Sequence, residues 1–223
     1  MCKKPYRKED REFGCGQCTH CRINRSRLWV GRMLLESMEH PHTAFVTLTY
    51  NDQHLPNPPH LSKEAVQRFL KRLRGMAAGR KLRYYAVGEY GDKSWRPHYH
   101  LIIFGLAPTE QKLVEACWPY GFVQVGTAEA QSMAYTASYV IKKMTNPKDE
   151  RLDGRPAEFS LLSKRPGLGT GVVVKMLKQY GGSHGQSAFD RLNWIASQFR
   201  TEGHLYPLGR YLSERGDAGA AHR

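Results

Sequence analysis

The chain has 223 residues, which fits one domain of roughly 100–200 residues with or without appendages. Lysine and arginine number 34 against 20 aspartate and glutamate, so the formal net charge is +14. Hydrophobic residues make up 40% of the chain, too many for a disordered basic tail. No apolar run approaches the ~18 residues of a membrane span, and the first residues lack the apolar stretch of a secretory signal. We therefore expect a folded cytosolic protein that binds a polyanion rather than a membrane.

Cysteines cluster near the start of the chain. Four of the five cysteines are Cys2, Cys15, Cys18 and Cys21. In a reducing cytosol, a CxxCxxC run with an upstream cysteine favours a structural Zn²⁺ site over disulfides. An iron–sulfur site is an alternative, as is a zinc site in which His20 replaces Cys2.

A basic helix is predicted over residues 22–38 and ends before Pro41. Arginines along it are candidates for phosphate contacts. The candidate DNA-binding arginines are Arg22, Arg25, Arg27, Arg32 and Arg96. Rings that could stack on single-stranded bases are Tyr84, Tyr85 and Trp95.

The next hundred residues carry alternating strand and helix signals. Strands are predicted over 43–50, 82–89, 98–104 and 122–126, and helices over 61–78, 109–117 and 130–143. Ser62 is the predicted N-cap of the first of these helices. The order β-α-β-β-α-β-α indicates an α+β fold, a split βαβ sheet with helices mainly on one face. We expect a Cys-rich basic segment over 1–40, a catalytic domain over 41–146 and an extension over 147–223, where Arg165–Gly171 forms a Gly-rich turn.

Two histidines interrupt an apolar strand. His98 and His100 lie at i and i+2, so both imidazoles face the same side of the sheet. Glu89 ends the preceding strand, and a hairpin turn returns the chain beside His98. Two His and one Glu with open positions suit Mg²⁺ or Mn²⁺ when phosphate oxygens complete the shell. Asp92, in the turn, is a second carboxylate within reach, although a turn former is its ordinary role.

The predicted helix near residue 135 supplies hydroxyls and cations. Tyr135 and Tyr139 stand one turn apart on one face, and Lys142 and Lys143 follow. One interpretation is an amphipathic helix with tyrosines in the core and lysines at its C-terminal end. The other is a tyrosine nucleophile that attacks phosphorus beside a lysine that stabilises the added charge, which a nearby metal favours.

Three motifs occur in a fixed order: FVTLTYND, EYGDKSWRPHYHLIIFG and YTASYVIKK. In this order the chain resembles the replication initiators of microviruses, most closely the gokushovirus group, within the HUH endonuclease superfamily. CGQCTHCR and RPGLGTG also fit that group. The resemblance assigns metal binding to His98, His100 and Glu89. It assigns catalysis to Tyr139, Tyr135, Lys142 and Lys143, with Tyr139 the safer nucleophile.

The resemblance implies a five-stranded antiparallel sheet of RRM-like topology with the His pair on the central strand. It implies nicking and rejoining of single-stranded origin DNA through a 5′-phosphotyrosine intermediate in the host bacterial cytoplasm. Each step is a transesterification, so no nucleotide cofactor is expected. The chain has no GxxxxGK[ST] stretch, so a host helicase would separate the strands and a host polymerase would extend the 3′ hydroxyl.

Two other functions fit the same residues. One is an RRM-like module that binds nucleic acid without catalysis. The other is a transposase or relaxase of the HUH class. Covalent attachment to DNA separates the first from the initiator, and a neighbouring capsid gene separates the second.

Overall fold

The computed structural model describes residues 2–9, 11–91, 93–139, 148–180, 198–201 and 203–212. The strands in these ranges are β1 (Tyr6–Lys8), β2 (Arg11–Phe13), β3 (Thr43–Thr49), β4 (Arg83–Tyr90), β5 (Pro97–Phe104), β6 (Val123–Thr127), β7 (Phe159–Leu162), β8 (Gln198–Thr201) and β9 (His204–Pro207). The α-helices are α1 (Thr19–Ser37), α2 (Lys63–Met76), α3 (Gln111–Cys117), α4 (Ala130–Ser138) and α5 (Thr170–Tyr180). The chain divides into two compact units, one over His40–Ser163 and the other before and after it.

A five-stranded antiparallel sheet forms the His40–Ser163 unit. Its strand order is β6-β3-β5-β4-β7, so β5 is central. Strands β3 and β4 are joined by α2 and lie on either side of β5, which is the split βαβ arrangement. The predicted α+β fold with a five-stranded antiparallel sheet is confirmed.

One face of the sheet carries the main core. The β3 residues Ala44, Val46 and Leu48 alternate with less buried neighbours, as expected for a strand with one core face. They share a cluster with Phe69 of α2 and Trp118, both almost fully buried. Helices α2 and α3 therefore cover this face.

The opposite face of the sheet carries polar residues. Because side chains alternate along β5, His98 and His100 point away from the face that holds Tyr99 and Leu101. Helix α4 contacts β5 from the histidine side, through Tyr135. The sheet thus separates the hydrophobic core from the histidine face.

The other unit contains α1, α5 and two short hairpins. Helix α1 buries its second half, including Leu35, which packs against Val172 of α5. The Gly-rich turn docks on α1 because Glu36 Oε2 accepts a hydrogen bond from the Gly169 backbone N–H at 2.7 Å. Gly169 has φ +78°, in the region that favours glycine. The predicted turn at Arg165–Gly171 is therefore a packing element against α1.

Predicted element positions agree with the structure to within about three residues, with two exceptions. The helix predicted over 130–143 is α4, which is described to Ser138 with Tyr139 at its C-cap, and the predicted residues beyond Tyr139 lie outside the described ranges. Strand β7 was not predicted from residue patterns and lies beyond the expected domain end at 146. It pairs with β4 and completes the sheet. No helix in the described part of the chain combines the length and apolar composition needed to cross a bilayer.

Ser62 caps α2, since its hydroxyl accepts a hydrogen bond from the Ala65 backbone N–H at 3.0 Å. We expect Ser62→Ala to lower the free energy of unfolding by about 1 kcal/mol, because that N–H loses its partner. Ser62→Asp restores an acceptor and should stay close to the wild type. Urea unfolding of the three proteins tests this, and an Ala variant as stable as the wild type would contradict the cap.

Candidate active site

Pairing between β4 and β5 brings a carboxylate beside the two histidines. Glu89 lies directly opposite His98, and Val87 lies opposite His100. Paired residues of an antiparallel ladder share a face, and so do residues two apart on one strand. Glu89 Oε1 is 3.1 Å from His100 Nε2, and both side chains are buried. The structure therefore places all three predicted metal ligands on one face of the central hairpin.

The ring of His100 is held on both edges. Thr47 Oγ1, on β3, is 3.1 Å from His100 Nδ1, while Glu89 occupies the Nε2 edge. A carboxylate accepts, so the neutral ring carries its proton on Nε2 and the Thr47 hydroxyl donates to Nδ1. Phe45 stacks on the ring with centroids 5.8 Å apart. Sequence analysis missed both contacts, because only strand pairing places β3 beside β5.

The donor set fits a divalent cation. An octahedral ion with ligands at about 2.1 Å separates adjacent donor atoms by about 3 Å, close to the Glu89–His100 spacing. His98 Nδ1 is buried with no hydrogen-bond partner of good geometry in the described part of the chain. Within the described residues only the cysteine cluster brings three or more ligand atoms within 4.8 Å of one another. The His98 ring would have to turn to complete the three-ligand set.

Both helix tyrosines contact His100. The Tyr139 ring stacks parallel to His100 with centroids 5.4 Å apart, and the Tyr135 ring meets it edge-on at the same distance. The two tyrosine rings are 5.0 Å apart. Tyr139 is 4% exposed and Tyr135 is 48% exposed. One phenol thus lies inside the site and the other at its mouth.

Burial and charge act on the site's titratable groups. Burial raises the pKa of Tyr139, and the neighbouring Tyr135 and the Glu89 carboxylate raise it further. Burial lowers the pKa of His98; the Glu89 charge opposes this, and His100 adds to it. Without a bound cation the site therefore favours a protonated Tyr139 and a neutral His98.

A cavity of about 510 Å³ opens beside the tyrosines. Its walls combine Phe45, His100 and Tyr135 with polar residues of β6 and the start of α4, including Gln124 and Ser132. An aromatic wall next to amides and hydroxyls suits a nucleotide base and its backbone. The polar lining residues carried no recognisable motif in the sequence.

Some predicted residues are not placed at the site. Lys142, Lys143 and Asp92 lie outside the described ranges, so their catalytic or ligand assignments stay predictions. Arg96 is on the hairpin turn, where it pairs with Asp52 at 2.7 Å. Its guanidinium also donates to the Tyr50 carbonyl at 2.8 Å.

Two predicted nucleic-acid contacts are wrong because the side chains are buried. Arg32 is 8% exposed, donates to the Leu168 carbonyl at 3.0 Å and lies over the rings of Trp29 and Tyr211. Tyr85 is fully buried on the histidine face of β4, so it cannot stack on a base.

The remaining candidates for nucleic-acid contact differ in exposure. Tyr84 and Trp95 are partly buried, Tyr84 beneath Arg74 and Trp95 beneath Arg155. Arg22 is half-buried, whereas Arg25 and Arg27 are exposed on α1, and Arg27 donates to the Leu205 carbonyl. Arg25 is thus the most available of the predicted phosphate contacts.

The N-terminal cysteines come together in space. The sulfur atoms of Cys2, Cys15, Cys18 and Cys21 all lie within 4.8 Å of one another, and the thiols are free. Backbone hydrogen bonds from Lys3 and then Cys21 lower the pKa of Cys18 to about 6. The compact set does not include His20. Cys117, as expected, is buried in the main core.

The geometry agrees with comparisons to known proteins. Residues 43–144, which begin at β3 and extend past α4, match the family model of the replication-associated protein ORF2. That stretch contains every residue predicted for catalysis or for metal binding on the histidine face. The chain is 31% identical over 189 residues to the replication-associated protein VP4 of Bdellovibrio phage phiMH2K, covering 75% of this chain and 59% of the relative.

Two further phage proteins are similar. The replication-associated protein ORF2 of Spiroplasma virus 4 is 34% identical over 58% of this chain and 48% of its own length. The replication-associated protein ORF4 of Chlamydia phage 1 is 30% identical over 58% of this chain and 38% of its own length. The chain spans about half the length of these relatives, and no solved structure matches it. The predicted relation to microvirus replication proteins is confirmed.

The exposure of the two tyrosines predicts their reactivity. Nitration by tetranitromethane proceeds through the phenolate, so we expect Tyr135 to react several-fold faster than Tyr139, which is buried and harder to ionise. Both residues fall in one tryptic peptide, and its fragmentation reports each site separately. Urea-unfolded protein should lose the preference. Equal nitration in the folded protein would contradict the described arrangement.

Proposed function

We propose that the protein initiates rolling-circle replication of a phage genome by cutting and rejoining single-stranded origin DNA through a phosphotyrosine intermediate. The observation that carries this is the contact of both Tyr135 and Tyr139 with His100, whose Nε2 edge meets Glu89. A phenol nucleophile and a ligand set for a cation that binds phosphate lie within one site. A non-catalytic RRM-like module needs no such juxtaposition.

The cleavage is a transesterification at phosphorus. The tyrosine Oη–P bond forms as the P–O3′ bond breaks, the phenol loses its proton and the 3′ oxygen gains one. The 5′ phosphate stays on the tyrosine, and attack by a 3′ hydroxyl reverses the step, so no ATP is consumed. Mg²⁺ or Mn²⁺ held by Glu89, His98 and His100 would polarise the phosphodiester.

Residues of this chain prepare the nucleophile. Glu89 interacts with the Tyr139 hydroxyl, so a carboxylate lies where the phenol proton must leave. Thr47 fixes the ring of His100 by its contact with Nδ1. Parallel stacking on His100 restricts the Tyr139 ring to one plane. These contacts favour Tyr139 for an attack inside the site and Tyr135 for one at the cavity mouth.

Two nucleophiles suit a replication cycle better than a single cut. After one tyrosine is joined to DNA, the second would attack the junction regenerated by one round of synthesis. Tyr135 and Tyr139 lie one turn apart around α4 and both face His100, so either phenol could approach the same phosphate.

The biological setting rests on the relatives. Their printed names make them replication-associated proteins of phages. We propose origin DNA as the substrate, host polymerase and helicase as partners, and the host bacterial cytoplasm as the place of action. The net charge of +14 supports binding of a polyanion.

Covalent attachment to DNA tests the function. Purified chain is incubated with Mg²⁺ or Mn²⁺ and 3′-labelled single-stranded oligonucleotides that tile the genome encoding it. We expect one oligonucleotide to give an SDS-resistant protein–DNA adduct. The Tyr135→Phe/Tyr139→Phe double variant should lose the adduct, because no phenol oxygen is left to attack, and each single variant should retain part of it.

Controls separate chemistry from binding. His100→Ala should abolish the adduct while salt-sensitive DNA binding persists. Tyr84→Phe, a tyrosine on the opposite face of the sheet, should leave the adduct unchanged. If the double variant still forms the adduct, the tyrosine mechanism is wrong. If no oligonucleotide gives an adduct although DNA binds, the non-catalytic module is favoured instead.

A further inference from the structure

The four N-terminal cysteines form a built ligand set away from the histidines. Cys18 Sγ lies 3.8 Å from Cys2 Sγ, and all four sulfurs lie within 4.8 Å of one another. Around an ion with Zn–S bonds of about 2.3 Å, tetrahedral geometry sets the S–S separation at about 3.8 Å. We propose that Cys2, Cys15, Cys18 and Cys21 bind one structural Zn²⁺ that stabilises the start of the chain.

Backbone groups already orient these sulfurs. The Cys15 N–H donates to Cys2 Sγ at 3.2 Å, and the Cys18 N–H donates to Cys15 Sγ at 3.3 Å. Such bonds to ligand atoms fix the direction of their lone pairs and stabilise thiolates. The loop between Cys15 and Cys18 turns at Gly16, which has φ +72°. The ligand loop therefore has the folded shape of a metal knuckle.

Close packing around the sulfurs adds a second constraint. A Cβ built on Gly14 would lie 2.8 Å from Cys21 Sγ, closer than real Cβ contacts allow. A side chain at this position would displace a ligand sulfur. Gly14 thus leaves room for the fourth ligand beside the chain.

Alternative sulfur chemistry fits less well. A disulfide needs sulfurs about 2.05 Å apart, far closer than the Cys2–Cys18 pair. An iron–sulfur cluster binds its cysteines on different irons and spreads them further than one mononuclear ion does. The mutual distances therefore favour a single ion with four thiolates.

The site explains how a segment with little core stays folded. Strand β1 is exposed along its whole length, and the hairpin it forms with β2 carries one stacked pair, Tyr6 with Phe13. Two strands of three residues are too short to be stable alone. Zinc would join Cys2, before the hairpin, to the ligands after it. The hairpin is then closed by metal–sulfur bonds in place of apolar burial.

Zinc also completes the start of α1. Its N-cap is Cys18, which makes no side-chain capping hydrogen bond, and the first turn contains no acidic residue. Four thiolates around Zn²⁺ leave a net negative charge beside the positive end of the helix dipole. Loss of the metal should therefore loosen residues 2–9 and 11–18 and the first turn of α1.

Metal analysis of the purified full-length chain tests the proposal. We expect about one zinc per chain by elemental analysis, and a zinc-bound mass in native mass spectrometry that a chelator removes. The Co²⁺-substituted protein should show the thiolate charge-transfer and d–d absorption of a tetrahedral S₄ site. Cys18→Ser should lose the zinc, while His20→Ala, in the same loop, and Cys117→Ala should each retain it.

A second measurement keeps the test independent of variant folding. Hydrogen exchange of the wild type with and without a chelator should show faster exchange in peptides from the first 21 residues, while peptides from β3 to β5 are unchanged. Iron with sulfide, disulfide-linked cysteines, or metal-free protein with the same exchange would each overturn the proposal. None of these readouts depends on DNA cleavage.

Discussion

The antiparallel pairing of β4 with β5 is the constraint on which the active site depends. It places Glu89 opposite His98 and orients His100 toward the same face. A shift of the register by one residue would turn one of these strands over and separate carboxylate from imidazole. The turn fixes the register through the hydrogen bond from the Gly91 N–H to the Arg96 carbonyl at 3.0 Å. Burial of Tyr99 and Leu101 on the other face prevents slippage.

The second requirement is a helix on the polar face of the sheet. Helix α4 starts with a reciprocal cap, in which the Glu129 N–H donates to Ser132 Oγ at 2.8 Å and the Glu129 side chain accepts from the helix backbone. Met133 and Ala137 are buried, which directs the tyrosines one turn apart toward His100. The same strand therefore serves the hydrophobic core on one side and the site on the other.

Two metal chemistries follow from two donor types in separate units of the chain. The histidine face offers nitrogen and carboxylate oxygen with room for substrate oxygens, which suits a hard ion that exchanges ligands. The N-terminal cluster offers four sulfurs and a closed shell, which suits a structural ion. The family match covers the first of these regions and begins after the cysteines. The cysteine region therefore adds structure outside the matched stretch.

Local signals in the sequence determined much of the fold. Period-two alternation identifies β3, and helical spacing with Ser62 identifies α2, because burial of one face imposes these patterns on the residues themselves. The pair His98 and His100 was recognisable for the same reason. Strand β7 was not, because its four residues carry too short a pattern and gain stability only from pairing with β4.

What the sequence alone determined was therefore the identity of the reactive residues and the secondary structure around them. Tertiary structure decided which of them meet. The contact of Thr47 with His100, the burial of Arg32 and Tyr85 and the unequal exposure of the two tyrosines depend on elements distant in the chain. Their energies arise from packing and hydrogen bonding across that distance, and no local pattern of residue types encodes them.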